Sequence, residues 1–183
     1  MQDPFEQKHD PQVRERRKMG LMMHVLTWVS ILALLTLYFG DVIDRQRNPN
    51  QQVASEVIDG GVREVVLQRN RMGHYVATGE INGQPVVFLL DTGATGVAVP
   101  AAIAQRLGLA RGRAFVSNTA NGQARSFETR LQEVALGDIR LQNVRASISP
   151  GLQMNEVLLG MSFLKFIEFT QRGNTLTLRQ YPS

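Results

Sequence analysis

Cysteine is absent from the 183 residues, which excludes disulfides, thiolate metal sites and a cysteine nucleophile. Histidine occurs three times, as His9, His24 and His74, in separate regions and without ligand spacing. No metal centre and no cofactor are therefore expected. A Ser/His/Asp triad would have to use His74, which lies in a strand-like segment and reads as a surface strand residue. From residue 41 onward, 15 Lys and Arg stand against 12 Asp and Glu. These charges are spread over many segments, and no basic run interleaves with aromatics, so nucleic acid is not an expected partner.

Long hydrophobic runs are also scarce, with one exception. Residues 20–40 contain no Asp, Glu, Lys or Arg over 21 positions, a length suited to a single bilayer-spanning helix. Lys8, Arg14, Arg16, Arg17 and Lys18 precede it, whereas Arg45 and Arg47 are the only basic residues in the twenty positions that follow. The positive-inside asymmetry predicts a cytoplasmic N-terminus and an exported C-terminal domain, periplasmic in a bacterium with two membranes. A cleaved signal peptide is the alternative. Against it, the run is too long and its end, Tyr38-Phe39-Gly40-Asp41, offers no small-x-small cleavage site.

The expected organisation is a cytoplasmic segment (residues 1–18), a transmembrane helix in contact with the lipid bilayer (19–40), a polar linker (41–70) and a folded domain (71–183). Within the linker, Asn48-Pro49-Asn50-Gln51-Gln52 is loop-like, and residues 62–67 are a candidate first strand. From residue 71 short strands alternate with turn signals. Asn82-Gly83 marks a tight hairpin, and residues 101–107 have helical composition with Gly108 as a stop. Asn121-Gly122 marks another hairpin tip. Residues 161–166 form a second short helical candidate, and two strands flanking Arg172-Gly173-Asn174 close the chain. Many short strands with one or two short helices predict an all-β fold, a small closed β-barrel.

The segment with most chemical content is Val86-Val87-Phe88-Leu89-Leu90-Asp91-Thr92-Gly93-Ala94-Thr95-Gly96. An apolar strand delivers one carboxylate into a Thr/Gly turn, and the chain resumes as Val97-Ala98-Val99. An Asp in a tight turn commonly does no more than satisfy nearby backbone N–H groups. Between two core strands, however, burying a carboxylate is costly unless it is hydrogen-bonded or shares a proton with another acid. Groups placed at such a cost often serve function through a perturbed pKa.

The strand into Asp91-Thr92-Gly93-Ala94-Thr95, the Asn-Gly hairpin at Asn121, and Leu158-Leu159-Gly160 followed by a short apolar helix together resemble the retroviral-type, retropepsin-like aspartic proteases. The anchor makes the resemblance closest to their membrane-anchored bacterial branch, and it covers residues 71–181. It implies the retropepsin-like acid protease fold and makes Asp91 the catalytic carboxylate. Thr92, Gly93, Ala94 and Thr95 would form the active-site loop, with the Thr92 hydroxyl turned toward the partner subunit's loop and the Gly93 N–H close to the carboxylates. Asn118, Thr119, Ala120, Asn121 and Gly122 would be the tip of a flap over substrate. Leu159 and Gly160 would pack beneath the loop, where glycine permits close backbone approach. The chain departs from the retroviral pattern after Gly160. Met161-Ser162 stands where those enzymes commonly carry Arg followed by Asp or Asn.

Aspartic proteolysis needs two carboxylates in near contact, one ionised and one protonated. Asp91-Thr92-Gly93 has no second copy here; Asp59 and Asp138 lack the strand-turn setting. The resemblance therefore implies a homodimer, one Asp91 per subunit, hydrolysing peptide bonds of a peptide or protein substrate. The alternative is a catalytically inactive module of the same fold that binds a peptide as an added strand, or a scaffold.

Overall fold

The chain divides into two units, Met1–Ile43 and Asp44–Ser183, and the computed structural model describes residues 11–119 and 122–182. Helix α1 (Pro11–Arg47) is the substance of the first unit, and its last residues open the second. It is long and apolar enough to cross a membrane. Its side chains Leu26, Trp28, Leu32 and Leu37 are exposed. The Thr27 and Thr36 hydroxyls donate to the carbonyls of Met23 and Leu32 one turn back, so neither polar group would enter lipid unpaired.

The second unit is all-β with two short helices. Its elements are β1 (Ala54–Ile58), β2 (Val62–Gln68), β3 (Tyr75–Ile81), β4 (Gln84–Leu90), β5 (Val97–Pro100), α2 (Ala101–Arg106) and β6 (Ala114–Thr119). They are followed by β7 (Gly122–Leu136), β8 (Ile139–Ser149), β9 (Val157–Leu159), α3 (Met161–Leu164), β10 (Glu168–Arg172) and β11 (Thr175–Gln180). The local signals act as expected. Asn82 and Gly83 both take positive φ, 51° and 74°, the turn that matches the twist of a two-residue hairpin. Helix α2 stops at Leu107, whose N–H donates to the Ile103 carbonyl, and Gly108 follows in the left-handed region.

The strands do not form one closed barrel. A four-stranded antiparallel sheet, β1-β2-β11-β10, stands apart from a seven-stranded sheet, β3-β4-β9-β5-β8-β7-β6. The larger sheet curls until β3 touches β7 through Glu80↔Ala135 and Ile81↔Val134. Two residue pairs join the edge strand β3 to β7, the last strand but one, where a uniform barrel would have a full ladder. Between the layers Val65, Leu67, Phe88, Leu131, Ile148, Leu159, Phe163 and Leu178 are fully buried, each contributing about 1.5–3 kcal/mol.

Residues 41–70 are not the polar linker expected. Val65 and Leu67, two residues apart, face inward along β2, and Val62 is buried at its start; the strand pairs with β11 from Arg63↔Gln180 to Gln68↔Thr175. Folded structure thus begins well before residue 71. The composition misleads because its polar amides are buried. Asn50 donates from Nδ2 to the carbonyls of Gln68 (2.8 Å) and Val76 (2.7 Å), and its Oδ1 accepts the Gln68 N–H (2.7 Å). One side chain thereby ties β2 of the small sheet to β3 of the large one, using most of an amide's capacity. Asn48 accepts the Asn50 N–H and donates to the Thr78 hydroxyl, and Asn70 donates to the Arg47 carbonyl at the end of α1.

Candidate active site

Strand β9 is the key to the site, because it lies between β4 and β5, the strands that enter and leave the Asp91 loop. It runs parallel to β4, with Leu89↔Leu158 and Leu90↔Leu159, and meets β5 at Ala98↔Leu158. The apolar pair Leu158-Leu159 therefore supplies a floor beneath the loop, with Leu159 fully buried. Gly160 is buried too. A Cβ there would run into the carbonyl oxygens of Gly96 and Ala94, so the loop can sit this low only over glycine.

Three hydrogen bonds hold the loop to that floor. The Asp91 N–H donates to the Leu159 carbonyl (3.3 Å) and the Met161 N–H donates to the Ala94 carbonyl (2.9 Å). The Val97 N–H donates to the Ser162 hydroxyl (2.9 Å), which in turn donates to the Arg145 carbonyl (2.8 Å). Ser162 marked a departure from the retroviral pattern in the sequence, with no role attached. Its position two residues beyond Gly160 was the available signal.

Asp91 itself is half-exposed, not buried, and Thr92 and Gly93 are exposed. This corrects the expectation of a carboxylate sunk between core strands. The strands are core, but the loop turns its face outward in a single chain. The Gly93 N–H donates to Asp91 Oδ1 at 2.9 Å, as in an ordinary Asx turn. Among the described residues no other hydrogen bond reaches the carboxylate. Asp91, Gly93, Ala94 and Thr95 border a cleft of about 1540 Å³, large enough for an extended peptide segment.

The hairpin of β6 and β7 walls the cleft through Phe115, Ser117, Gln123 and Ala124. Its register runs to Thr119↔Gly122. Of the expected flap tip, Ala120 and Asn121 lie outside the described residues; Asn118 and Thr119 end β6 and Gly122 begins β7. At the hairpin's base Ser117, Ser126 and Ser149 form a chain of hydroxyl contacts of 2.8 and 3.1 Å across β6, β7 and β8. Nothing in the linear order of these three serines signals it.

The family model for the "gag-polyprotein putative aspartyl protease" matches residues 77–166, which bracket the loop, the flap hairpin and the floor. A retropepsin-like aspartic protease from Rickettsia conorii is 26% identical, with a TM-score of 0.55, over 70% of this chain and 94% of that one. The chain belongs to the retropepsin-like aspartic protease family. An uncharacterized Sinorhizobium protein from the cobV 5′ region is 33% identical over 181 residues, covering 92% of this chain and 77% of the relative. An uncharacterized protein of Rickettsia prowazekii is 29% identical over 107 residues, covering 57% of this chain and 46% of that protein. For a retropepsin-like chain, an Asp-Thr-Gly loop resting on a hydrophobic-hydrophobic-Gly floor is the expected construction of the site.

Proposed function

We propose that this retropepsin-like chain is a membrane-anchored aspartic endopeptidase, active as a homodimer in which each subunit contributes Asp91. The observation that carries this reading is the single-chain site itself. A half-exposed carboxylate stands with an exposed threonine and glycine on a loop braced at three points, beside a cleft. An exposed loop with so much support beneath it is suited to meeting a second copy of itself.

In the pair, two Asp91 carboxylates about 3 Å apart cannot both ionise and share one proton. The ionised member takes a proton from a water held between them, and the water oxygen attacks the scissile carbonyl carbon. The protonated member donates its hydrogen bond, then its proton, to the carbonyl oxygen. Collapse of the resulting gem-diol breaks the C–N bond as a proton reaches the leaving nitrogen. The Gly93 N–H, already on Asp91 Oδ1, holds the carboxylate plane during these transfers. Thr92 is the residue whose hydroxyl faces the partner loop, and the β6–β7 hairpin is the flap.

The apolar length of α1 supports membrane anchoring through residues 19–40. The basic residues preceding it, against Arg45 and Arg47 after it, support a cytoplasmic N-terminus and an exported protease domain. Anchoring both subunits in one bilayer raises their effective concentration and favours the dimer.

The test is cleavage of a peptide library by the full chain in detergent, with Asp91→Ala as the control. Cleavage by the parent and none by the variant, at equal thermal stability, is expected. Equal cleavage by both excludes this mechanism; peptide binding without cleavage by the parent selects the inactive module instead.

A further inference from the structure

Of the three points that brace the Asp91 loop, two are main chain to main chain and would form with many side chains. The bonds from Asp91 N–H to Leu159 O and from Met161 N–H to Ala94 O are of this kind. The third depends on one side chain. Val97 pairs with Ala146 in a parallel ladder, and in that geometry the Val97 N–H faces the Arg145 carbonyl. The Ser162 hydroxyl of α3 reaches both groups, accepting from Val97 N at 2.9 Å and donating to Arg145 O at 2.8 Å.

A hydroxyl has one proton and can accept as well. The carbonyl can only accept, so the proton lies toward Arg145 and a lone pair receives the Val97 N–H. Both bonds are satisfied at once, and the start of β5, β8 and α3 are tied together through one oxygen atom. Val97 is fully buried and is the first residue after the loop, so this tie sets where the loop leaves the core. The Ser162 hydroxyl also lies where a Cβ on Gly96 would touch it, at 3.6 Å.

We propose that Ser162 is a positioning residue for Asp91: a hydroxyl tie from α3 to β5 and β8 that sets the exit of the active-site loop. The inference rests on the endopeptidase reading for its effect on rate, but not for its effect on structure. Without the hydroxyl, α3 loses its hold on Val97 and Arg145, and the end of the loop shifts on its floor. That shift displaces the carboxylate that must meet its counterpart.

The experiment compares Ser162→Ala and Ser162→Thr with the parent as full chains in detergent, by steady-state kinetics across pH and by amide hydrogen exchange at Val97. The alanine chain is expected to lose about tenfold or more in kcat, with KM within about twofold, since displaced catalytic groups cost rate more than ground-state binding. The acid limb of its kcat/KM profile shifts, because the two carboxylates titrate as a pair whose coupling depends on their separation. Threonine, which keeps the hydroxyl, restores both, and Val97 exchanges faster in the alanine chain only. Should the alanine chain fail to fold, Ser162→Cys takes its place, filling the site with a poor hydrogen-bonding group and carrying the same expectations. Parental kcat and pH profile in the variant, a rise in KM alone, or unchanged Val97 exchange would each overturn the assignment. A parent chain that cleaves nothing sinks the endopeptidase reading, and the exchange measurement still decides the hydroxyl tie.

Discussion

The Met161 N–H donates to the Ala94 carbonyl at 2.9 Å, which sets the first turn of α3 directly beneath the middle of the Asp91 loop. Gly160, the residue before Met161, makes that approach possible. A Cβ there would lie 2.5 Å from the Ala94 oxygen and no farther from that of Gly96.

Gly160→Ala is therefore expected to displace the loop. Overpacking against main-chain oxygens costs about 1–3 kcal/mol, and activity should fall more than stability because the loop moves as a whole. Thermal unfolding and peptide cleavage on the same preparation check this. A fully active Gly160→Ala chain would show that the floor does not set the loop's height.

If each subunit supplies one Asp91, an inactive subunit poisons its partner. Parent chain mixed one-to-one with Asp91→Asn and allowed to exchange should retain about a quarter of the activity of the same total amount of parent, as random pairing in a two-fold dimer requires. Retention of half would mean that each subunit works alone. Specific activity should also rise with the density of protein in vesicles until dimerisation saturates.

Asn50 joins Gln68 of β2 to Val76 of β3 through three side-chain hydrogen bonds. Asn50→Ala leaves those backbone groups unpaired between the two sheets, at a cost of about 2–4 kcal/mol. Asn50→Asp should be nearly as damaging, because a carboxylate cannot donate to the two carbonyls. Denaturant unfolding of both variants measures this; a change under about half a kcal/mol would show that water replaces the amide at little cost.

A fragment beginning at residue 71 lacks β1 and β2, and so leaves Leu176 and Leu178 of β11 without the strand that pairs with them. It is expected to be unfolded or aggregated, whereas a fragment beginning at Asp44, the boundary of the second unit, is expected to fold. Far-ultraviolet circular dichroism and size-exclusion chromatography distinguish the two. The same pairing makes residues 54–68 a poor site for self-cleavage, since a protease must first draw a strand out of its sheet.

What could be read along the chain was what neighbours in sequence decide. Asn82-Gly83 makes its hairpin because two adjacent residues accept positive φ. Helix α2 ends ahead of Gly108, and the apolar run at residues 20–40 is helical by its own composition. Asp91, Leu159 and Gly160 could be singled out because their types, in order, match a family pattern, and folding sets Leu159 and Gly160 beneath the Asp91 loop.

Contacts between distant residues decided the rest. Asn50 looked like loop because an amide is polar, and only the arrival of Gln68 and Val76 on either side makes it interior. Strand β2 needs β11, more than a hundred positions away, before its alternation has a core to face. Ser162 follows the same rule: its hydroxyl gains a role only where folding brings Val97, 65 positions earlier, and Arg145 to either side of it. The sequence by itself determined the membrane-length helix, the tight turns and the identity of the lone carboxylate, since each depends on covalent neighbours. The tertiary structure decided where the domain begins, that Asp91 is half-exposed, and which side chain ties down the end of its loop, since a hydrogen bond depends on which groups meet in space.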